Sequence, residues 1–255
     1  MDFIINLLII VRDAIRYFFT SYIPQLIQEF SNDFYLNFIK EDRWKYIVDG
    51  LGVTLQVTLF AVLIGIALGF IVAIIRATHD KTGNLKFFNW ICHIYLTVIR
   101  GTPVLVQLLI IYFVIFGSVR VDKVLVAVIA FGINSGAYVA EIVRGGIMSI
   151  DAGQFEAGRS LGFNYTQTMI HIVLPQALKN VLPALGNEFI VLLKETSVAG
   201  YIALEDLTKG ADIIRSQTFA PMMPLLAVAA IYLAFVMLLS WLIKLLERRL
   251  RNSER

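Results

Sequence analysis

The sequence predicts an all-α integral membrane protein, and three observations carry that prediction. Hydrophobic residues make up 58% of the 255 residues and charged residues only 16%, with a mean hydropathy of +0.75. Ordinary soluble chains run at roughly 45–50% apolar and about 25% charged. The apolar residues fall in continuous runs, some of them longer than the roughly 20 residues a helix needs to cross the hydrocarbon core. Those runs also lack the period-two alternation that a closed β-barrel requires. A soluble core has no room for this much apolar surface, so lipid must cover much of it. A disordered chain and an ordinary soluble enzyme are excluded on the same figures.

The elements follow in order. Residues 2–30 are apolar but interrupted by Arg12, Asp13 and Arg16, and their polar positions (Asp2, Asn6, Asp13, Arg16, Thr20, Gln28) fall near one helical stripe. That pattern suits a helix lying in the membrane interface, or a sixth span packed by its polar stripe. Two arginines and an aspartate in mid-span are costly, which favours the interface for residues 1–47. No basic region precedes this run and no small-residue cleavage site follows it, so a signal peptide is not expected. Residues 53–75 then run without one charge. Residues 87–119 contain Arg100 as their only formal charge, and residues 124–140 contain none. Residues 181–203 are apolar apart from Glu188, Lys194 and Glu195, and residues 216–243 are uncharged, with Pro221 and Pro224 near their start. We therefore expect five crossing helices within residues 48–250 and a short tail at 251–255.

Lysine and arginine set the orientation. With five spans, one side holds eleven positive charges against five acids, including Arg76, Lys81, Lys86, Arg144, Arg159, Lys179 and the run Arg248, Arg249, Arg251. The other side holds nine positive charges against eleven acids, and only Arg120, Lys123, Lys209 and Arg215 of these lie in its short loops. The loop at 144–180 and the C-terminus are thus expected in the cytoplasm, with Arg248, Arg249 and Arg251 meeting anionic lipid.

That loop carries start and stop signals. Asp151 with Gln154 forms a capping-box arrangement, Gly162 can end a helix, and Asn164 with Gln167 repeats the start signal. Pro175 fits the first turn of the next helix, where its missing N–H costs nothing. Two short helices joined at a glycine would make a rigid projection. Its Ala157, Gly158 and Gly162 would keep the surface low enough for another protein's backbone to approach. An ordinary loop with helical turns is the plainer alternative.

Polar groups within the spans need a reason, since lipid makes each of them costly. Arg100, beside Gly101 and Pro103, either lines a path or marks a helix break near the cytoplasmic interface. Glu141 and Arg144 lie three apart on one helical face, the geometry of a structural ion pair. Asn134 and Ser135 sit deeper, among Gly132 and Gly136; they either bond across packed helices or contact a ligand near mid-membrane. Glu188, Lys194 and Glu195 leave the same two roles open. His79, His93 and His171 have no ligand spacing with each other or with Cys92, so no metal site is expected, and one cysteine cannot form an intrachain disulfide. No nucleophile–base arrangement appears. The net charge is only +3 and no basic run interleaves with aromatics, so no nucleic-acid footprint exists.

With those residues in view, the chain resembles the permease subunits of binding-protein-dependent ABC importers. Glu156-Ala157-Gly158, Gly162 and Ile172-Val173-Leu174-Pro175 fit the pattern E-A-A-x3-G-x9-I-x-L-P over 20 residues, with Gly158 replacing the usual alanine. Further stretches are similar to the polar amino acid branch: Arg100-Gly101-Thr102-Pro103 before a run containing Gln107, Asn134-Ser135-Gly136-Ala137-Tyr138 with Glu141 and Arg144-Gly145-Gly146, and Leu185-Gly186-Asn187-Glu188-Phe189 with Leu193-Lys194-Glu195-Thr196-Ser197. The resemblance runs from about Gly50 to Leu250 and leaves out the N-terminal residues. It implies a five-helix core in a bacterial inner membrane, working as a pair with a second permease subunit, identical or paralogous. It also implies two cytoplasmic ATPase subunits, one groove of which receives the helix around Glu156, and an external binding protein that delivers an amino acid. The chain has no G-x-x-x-x-G-K-[ST] loop, so ATP and its magnesium would belong to the partner. A secondary transporter or channel independent of ATP is the rival reading.

Overall fold

A computed structural model describes residues 12, 13 and 16–252. Asp2 and Asn6 of the N-terminal polar stripe lie outside the described residues. Every regular element among the described residues is helical. We label them α1 (Ile23–Phe34), α2 (Trp44–Thr82), α3 (Lys86–Gly101), α4 (Val104–Ile110), α5 (Lys123–Met148), α6 (Ala152–Ser160), α7 (Tyr165–Thr168), α8 (Leu174–Glu195), α9 (Leu207–Thr218) and α10 (Met222–Asn252).

The centre is the pair α2 and α5, which pack along most of their shared length. Small residues permit it. A Cβ added at Gly65 would lie 2.8 Å from Ser135 Oγ, and one at Gly69 would lie 2.5 Å from Val139 Cγ1. In lipid, where apolar burial drives nothing, such close backbone approach is what holds helices together. Phe131, Leu108, Val126 and Leu192 form a fully buried core at one end of this pair. Ala73, Val143, Ile147 and Val173 form another toward the 144–180 loop.

Among the described residues, three single helices are long and apolar enough to cross a membrane: Trp44–Thr82, Lys123–Met148 and Met222–Leu250. The run at 87–119 differs from a straight span. It forms α3 and α4 with a wide-turn extension, Ile111–Ile115, and the two arms are bent by 109° at a short break. Pro103 causes the break, since it has no N–H to donate and biases Thr102 to extended backbone (φ −123°, ψ 145°). Residues 181–203 also divide, into the end of α8 and a tight 3-10 segment, Thr196–Ile202. α8 carries Gln176, Lys179, Asn180 and Glu188 among its apolar residues, and is less apolar than the three long helices. Of its polar groups Glu188 is buried, while Asn180, Asn187 and Lys194 are exposed. The last span starts later than the apolar run suggests: Ser216 to Thr218 belong to α9, and α10 begins after Pro221.

Among the described residues of the N-terminal segment, no helix is long and apolar enough to cross alone. α1 continues through wide turns on both sides, Phe18–Tyr22 and Tyr35–Ile39, and exposes Phe18, Phe19, Ile27, Phe30 and Tyr35. Its far end is fastened. The buried Arg43 donates to the Leu36 carbonyl (2.7 Å) and to Gln217 Oε1 (3.1 Å), and Thr218 donates to Asn37 Oδ1 (2.9 Å). Phe38 completes a core with Leu207, Ala211 and Ile214 of α9.

Candidate functional site

Two groups of candidate residues become neighbourhoods in the fold. The first is the projection between α5 and α8. The Asp151 carboxylate accepts from Gly153 N (2.6 Å) and so caps α6. Gln154 does not complete a box there; its Oε1 accepts instead from Gln176 Nε2 (3.2 Å), tying α6 to α8. The second start signal is a full capping box, with Asn164 and Gln167 exchanging side-chain to backbone bonds of 2.9 Å each. Gly162 has φ +80°, and the bonds Gly162 N to Arg159 O (2.9 Å) and Phe163 N to Gly158 O (3.0 Å) close the end of α6. Pro175 lies in the first turn of α8, as its chemistry favours.

Gly158 departs from the expectation of an open surface. It is buried, and an added Cβ would stand 2.5 Å from Thr168 Oγ1. Its small size serves the contact between α6 and α7, which lets the two helices lock together. Glu156, Ala157, Gly162 and Pro175 are exposed, while Ile172 and Leu174 are half-buried. Phe155 stacks on Tyr165 with centroids 6.2 Å apart, and Lys81 Nζ lies 5.0 Å from the Phe155 ring, so the projection rests on the end of α2. The sequence reading missed Leu161 and Ile170, which the fold leaves 70% and 52% exposed on the projection, at the end of α6 and in the wide turn Met169–Val173. Their apolar character in a polar loop was the available signal.

The second neighbourhood lies inside the bundle. Ser135 Oγ donates to Glu188 Oε1 (2.9 Å), and both residues are buried. Asn134 Nδ2 donates to Gln107 Oε1 (3.1 Å). Gln107 Nε2 reaches the Ile99 carbonyl (2.7 Å), the Thr102 carbonyl (3.0 Å) and Thr102 Oγ1 (2.9 Å). Those carbonyls are freed by the break between α3 and α4, so Gln107 satisfies the bend from within. Asn134, Ser135, Gln107 and Glu188 are thus joined to helices. Lys194 is exposed and Glu195 half-buried, and neither makes a hydrogen bond or ion pair within the described residues. They are the candidates left with unused polar capacity.

Arg100 stands apart from both pairs. Its guanidinium lies 5.8 Å from the Tyr138 ring centre and 3.9 Å from Glu141. Glu141 gathers three cations: Arg76 at 2.6 Å, Arg144 at 3.1 Å and Arg100. Asp80 adds a second acid 3.8 Å from Arg144. Arg76 and Asp80 had no place among the sequence candidates, because nothing local says that the end of α2 lies beside residue 141. No group of three or more potential metal ligands occurs among the described residues.

Comparison with known proteins places this arrangement. The family described as "binding-protein-dependent transport system inner membrane component" matches residues 65–252. The putative glutamine transport system permease protein GlnP of Rickettsia typhi is 38% identical over 207 residues, covering 80% of this chain and 93% of that protein. The arginine transport system permease protein ArtQ of Bacillus subtilis is 36% identical over 211 residues, covering 82% and 94%. Among solved structures, a chain of an amino acid ABC transporter crystallised with histidines is 43% identical, with a TM-score of 0.72 over 80% of this chain and 94% of that one. A chain of the inward-facing MetNI methionine transporter shares the fold at 19% identity, with a TM-score of 0.73 over 82% and 98%. The chain belongs to the family of inner membrane components of binding-protein-dependent transport systems, and is a multi-pass, all-helical permease subunit of an amino acid ABC transporter.

Proposed function

We propose that the subunit passes a polar amino acid from an external binding protein into the cytoplasm, driven by a separate ATPase through the 151–175 projection. One observation carries this most: the locked pair α6 and α7 leads through Pro175 directly into α8, the helix that bears Glu188, Lys194 and Glu195. Motion imposed on the projection is therefore delivered to the polar groups of the bundle. Glu156, Ala157 and Gly162 form the outer surface of the coupling element, with Leu161 and Ile170 as its apolar contacts. Gly158, Ile172, Leu174 and Pro175 hold its shape.

The relatives named for glutamine and arginine, and the solved neighbour crystallised with histidines, support a polar amino acid as cargo. Such a molecule brings two charges into low dielectric, where an unpaired charge costs several kcal/mol. Lys194 and Glu195 offer one group of each sign, and Asn134, Ser135, Gln107 and Arg100 are the further polar groups of the bundle that a path could use. The lysine–arginine balance supports a cytoplasmic projection and C-terminus, and the exposed aromatic face of α1 supports a helix lying in the interface rather than a sixth span. ATP and magnesium belong to the partner subunit, and a second permease subunit completes the pathway.

Reconstitution tests this directly. Proteoliposomes holding the permease with its co-expressed ATPase should accumulate amino acid only with ATP and binding protein. Lys194→Gln and Glu195→Gln should lower uptake more than basal ATP hydrolysis. Uptake that persists without ATP or the ATPase would favour the secondary transporter.

A further inference from the structure

A cavity of about 410 Å³ opens between the Thr196–Ile202 segment, α9 and the first turn of α10. It lies outside the groups described above, but Ser197 in its wall comes two residues after Glu195. One side of it is ionic. Asp212 accepts from Lys209 Nζ at 2.8 Å and from the Arg215 guanidinium. Those hydrogen bonds, Lys209's first, hold the Asp212 carboxyl below its ordinary range, so it stays ionised near neutrality. The facing side is apolar, formed by Tyr201 and Leu225, which are 68% and 45% exposed.

The frame around the cavity is fixed. Asp206 is buried and accepts from Thr208 N (3.2 Å) and Lys209 N (3.1 Å), which sets the start of α9. Lys123 Nζ donates to the Ala203 carbonyl (3.0 Å), holding the turn that follows Tyr201. Both signs of charge therefore stand one hydrogen bond apart on a held backbone, beside an apolar wall.

We propose that this cavity is a binding site for free α-amino acids, placed before Lys194 and Glu195 on the transport path. The α-carboxylate takes the charge-assisted bonds of Arg215 and Lys209, and the α-ammonium group takes Asp212. The two charged ends of an amino acid are carried on one carbon, which matches a triad whose opposite charges touch. A lone anion or a lone amine would satisfy half of it and leave the rest of the triad as it was. The side chain lies along Tyr201 and Leu225. The site acts as a loading position once the binding protein has released its cargo. This assignment rests on the amino acid transport reading above.

The test uses the permease purified with its co-expressed ATPase in lipid nanodiscs, without binding protein. Radiolabelled L-arginine and L-glutamine are the probes. Agmatine, which lacks the carboxylate, and the desamino acid of arginine, which lacks the ammonium group, are the controls. Wild type should retain one of the two amino acids, and each control should bind at least about tenfold more weakly, the scale of one lost charge-assisted bond. Asp212→Asn and Arg215→Gln should weaken retention by a similar factor while keeping the gel-filtration profile and basal ATP hydrolysis. Tyr201→Trp, at an exposed position, supplies an independent readout: its fluorescence should change on adding the amino acid and not on adding agmatine. Glu195→Gln should leave that fluorescence response intact. Unchanged retention in both Asp212→Asn and Arg215→Gln would overturn the site, as would agmatine binding as well as arginine. Loss of binding-protein capture alone, with free amino acid retention unaltered, would also overturn it and make the triad a docking contact. Uptake by proteoliposomes separates the two levels: uptake without nanodisc retention sinks the cavity alone, and absence of all amino acid uptake sinks the transport reading beneath it.

Discussion

The hydroxyl of Ser135 on α5 donates a 2.9 Å hydrogen bond to the carboxyl of Glu188 on α8, with both residues buried. The bond links residues 53 positions apart and joins the central helix pair to the helix that leaves the 151–175 projection. Glu188 is thereby a strut. Ser135→Ala would leave it without its donor, and an unsatisfied buried polar group costs about 1–3 kcal/mol. A lower melting temperature of the purified protein in detergent is the expected outcome. Glu188→Gln, which still offers an acceptor to Ser135, should shift it less. Equal melting of all three proteins would remove the strut.

Gln107 should matter more to stability than Asn134. Gln107→Leu frees the Ile99 and Thr102 carbonyls at the 109° bend, along with Asn134 Nδ2, whereas Asn134→Leu breaks a single side-chain bond. The same thermal measurement should rank them in that order, with Gln107→Leu lower by about 1 kcal/mol or more.

The two glycines of the projection should fail in different ways. Gly158→Ala puts a Cβ within 2.5 Å of Thr168 Oγ1, and such overpacking costs typically about 1–3 kcal/mol. Thr168→Ala should rescue most of it by removing the two nearest atoms, Oγ1 and Cγ2, leaving Cβ at 3.1 Å. Gly162→Ala meets no atom but must hold φ +80°, at about 1–2 kcal/mol, and Thr168→Ala should not rescue it. Proteolytic cutting of the 160–164 junction, followed over time, distinguishes the two.

Asp206 gives stability a pH dependence. Burial is the largest cause pushing its carboxyl from 3.8 up to about 6, against the lowering effect of the α9 amide bonds it accepts. The folded state therefore binds this proton more tightly than the unfolded one. The resulting stabilisation is full below about 3.8 and is lost as pH rises toward about 6. A shift of this size corresponds to roughly 3 kcal/mol at most. Asp206→Asn keeps an acceptor for the cap and removes the titration, so its melting curve should be flatter across that window than that of wild type. Parallel curves would contradict the assignment.

Topology is open to labelling. In a Cys92→Ser background, cysteines at Lys123 and Lys209 should react with an impermeant thiol reagent in intact cells, and those at Lys86 and Gln154 only after lysis. Strong external labelling at position 154 would reverse the orientation and, with it, the coupling role of the projection.

Much was legible in the chain because its signals are local. Apolar run length marks a span wherever it occurs. A cap such as Asn164 with Gln167 involves residues three apart, and Pro103 breaks a helix through its own missing N–H. The spacing from Glu156 to Pro175 likewise lies within one short segment. Gln154 shows where local reading ends: the same cap signal that Asn164 obeys yields to Gln176, which the fold brings from 22 residues away. Gly158 looked like open surface until Thr168 was set against it. Ser135 with Glu188, Asn134 with Gln107, and Glu141 with Arg76 are pairings between helices far apart in sequence. An apolar run does not say which of its faces meets which neighbour; in lipid every face is equally apolar, and only the fit of small residues and buried hydrogen bonds decides. The sequence thus determined that this chain is a helical membrane permease and where its projection lies. The packing of α2, α5 and α8 decided which polar residues are spent holding helices together, and so left Lys194 and Glu195 with no hydrogen bond or ion pair among the described residues.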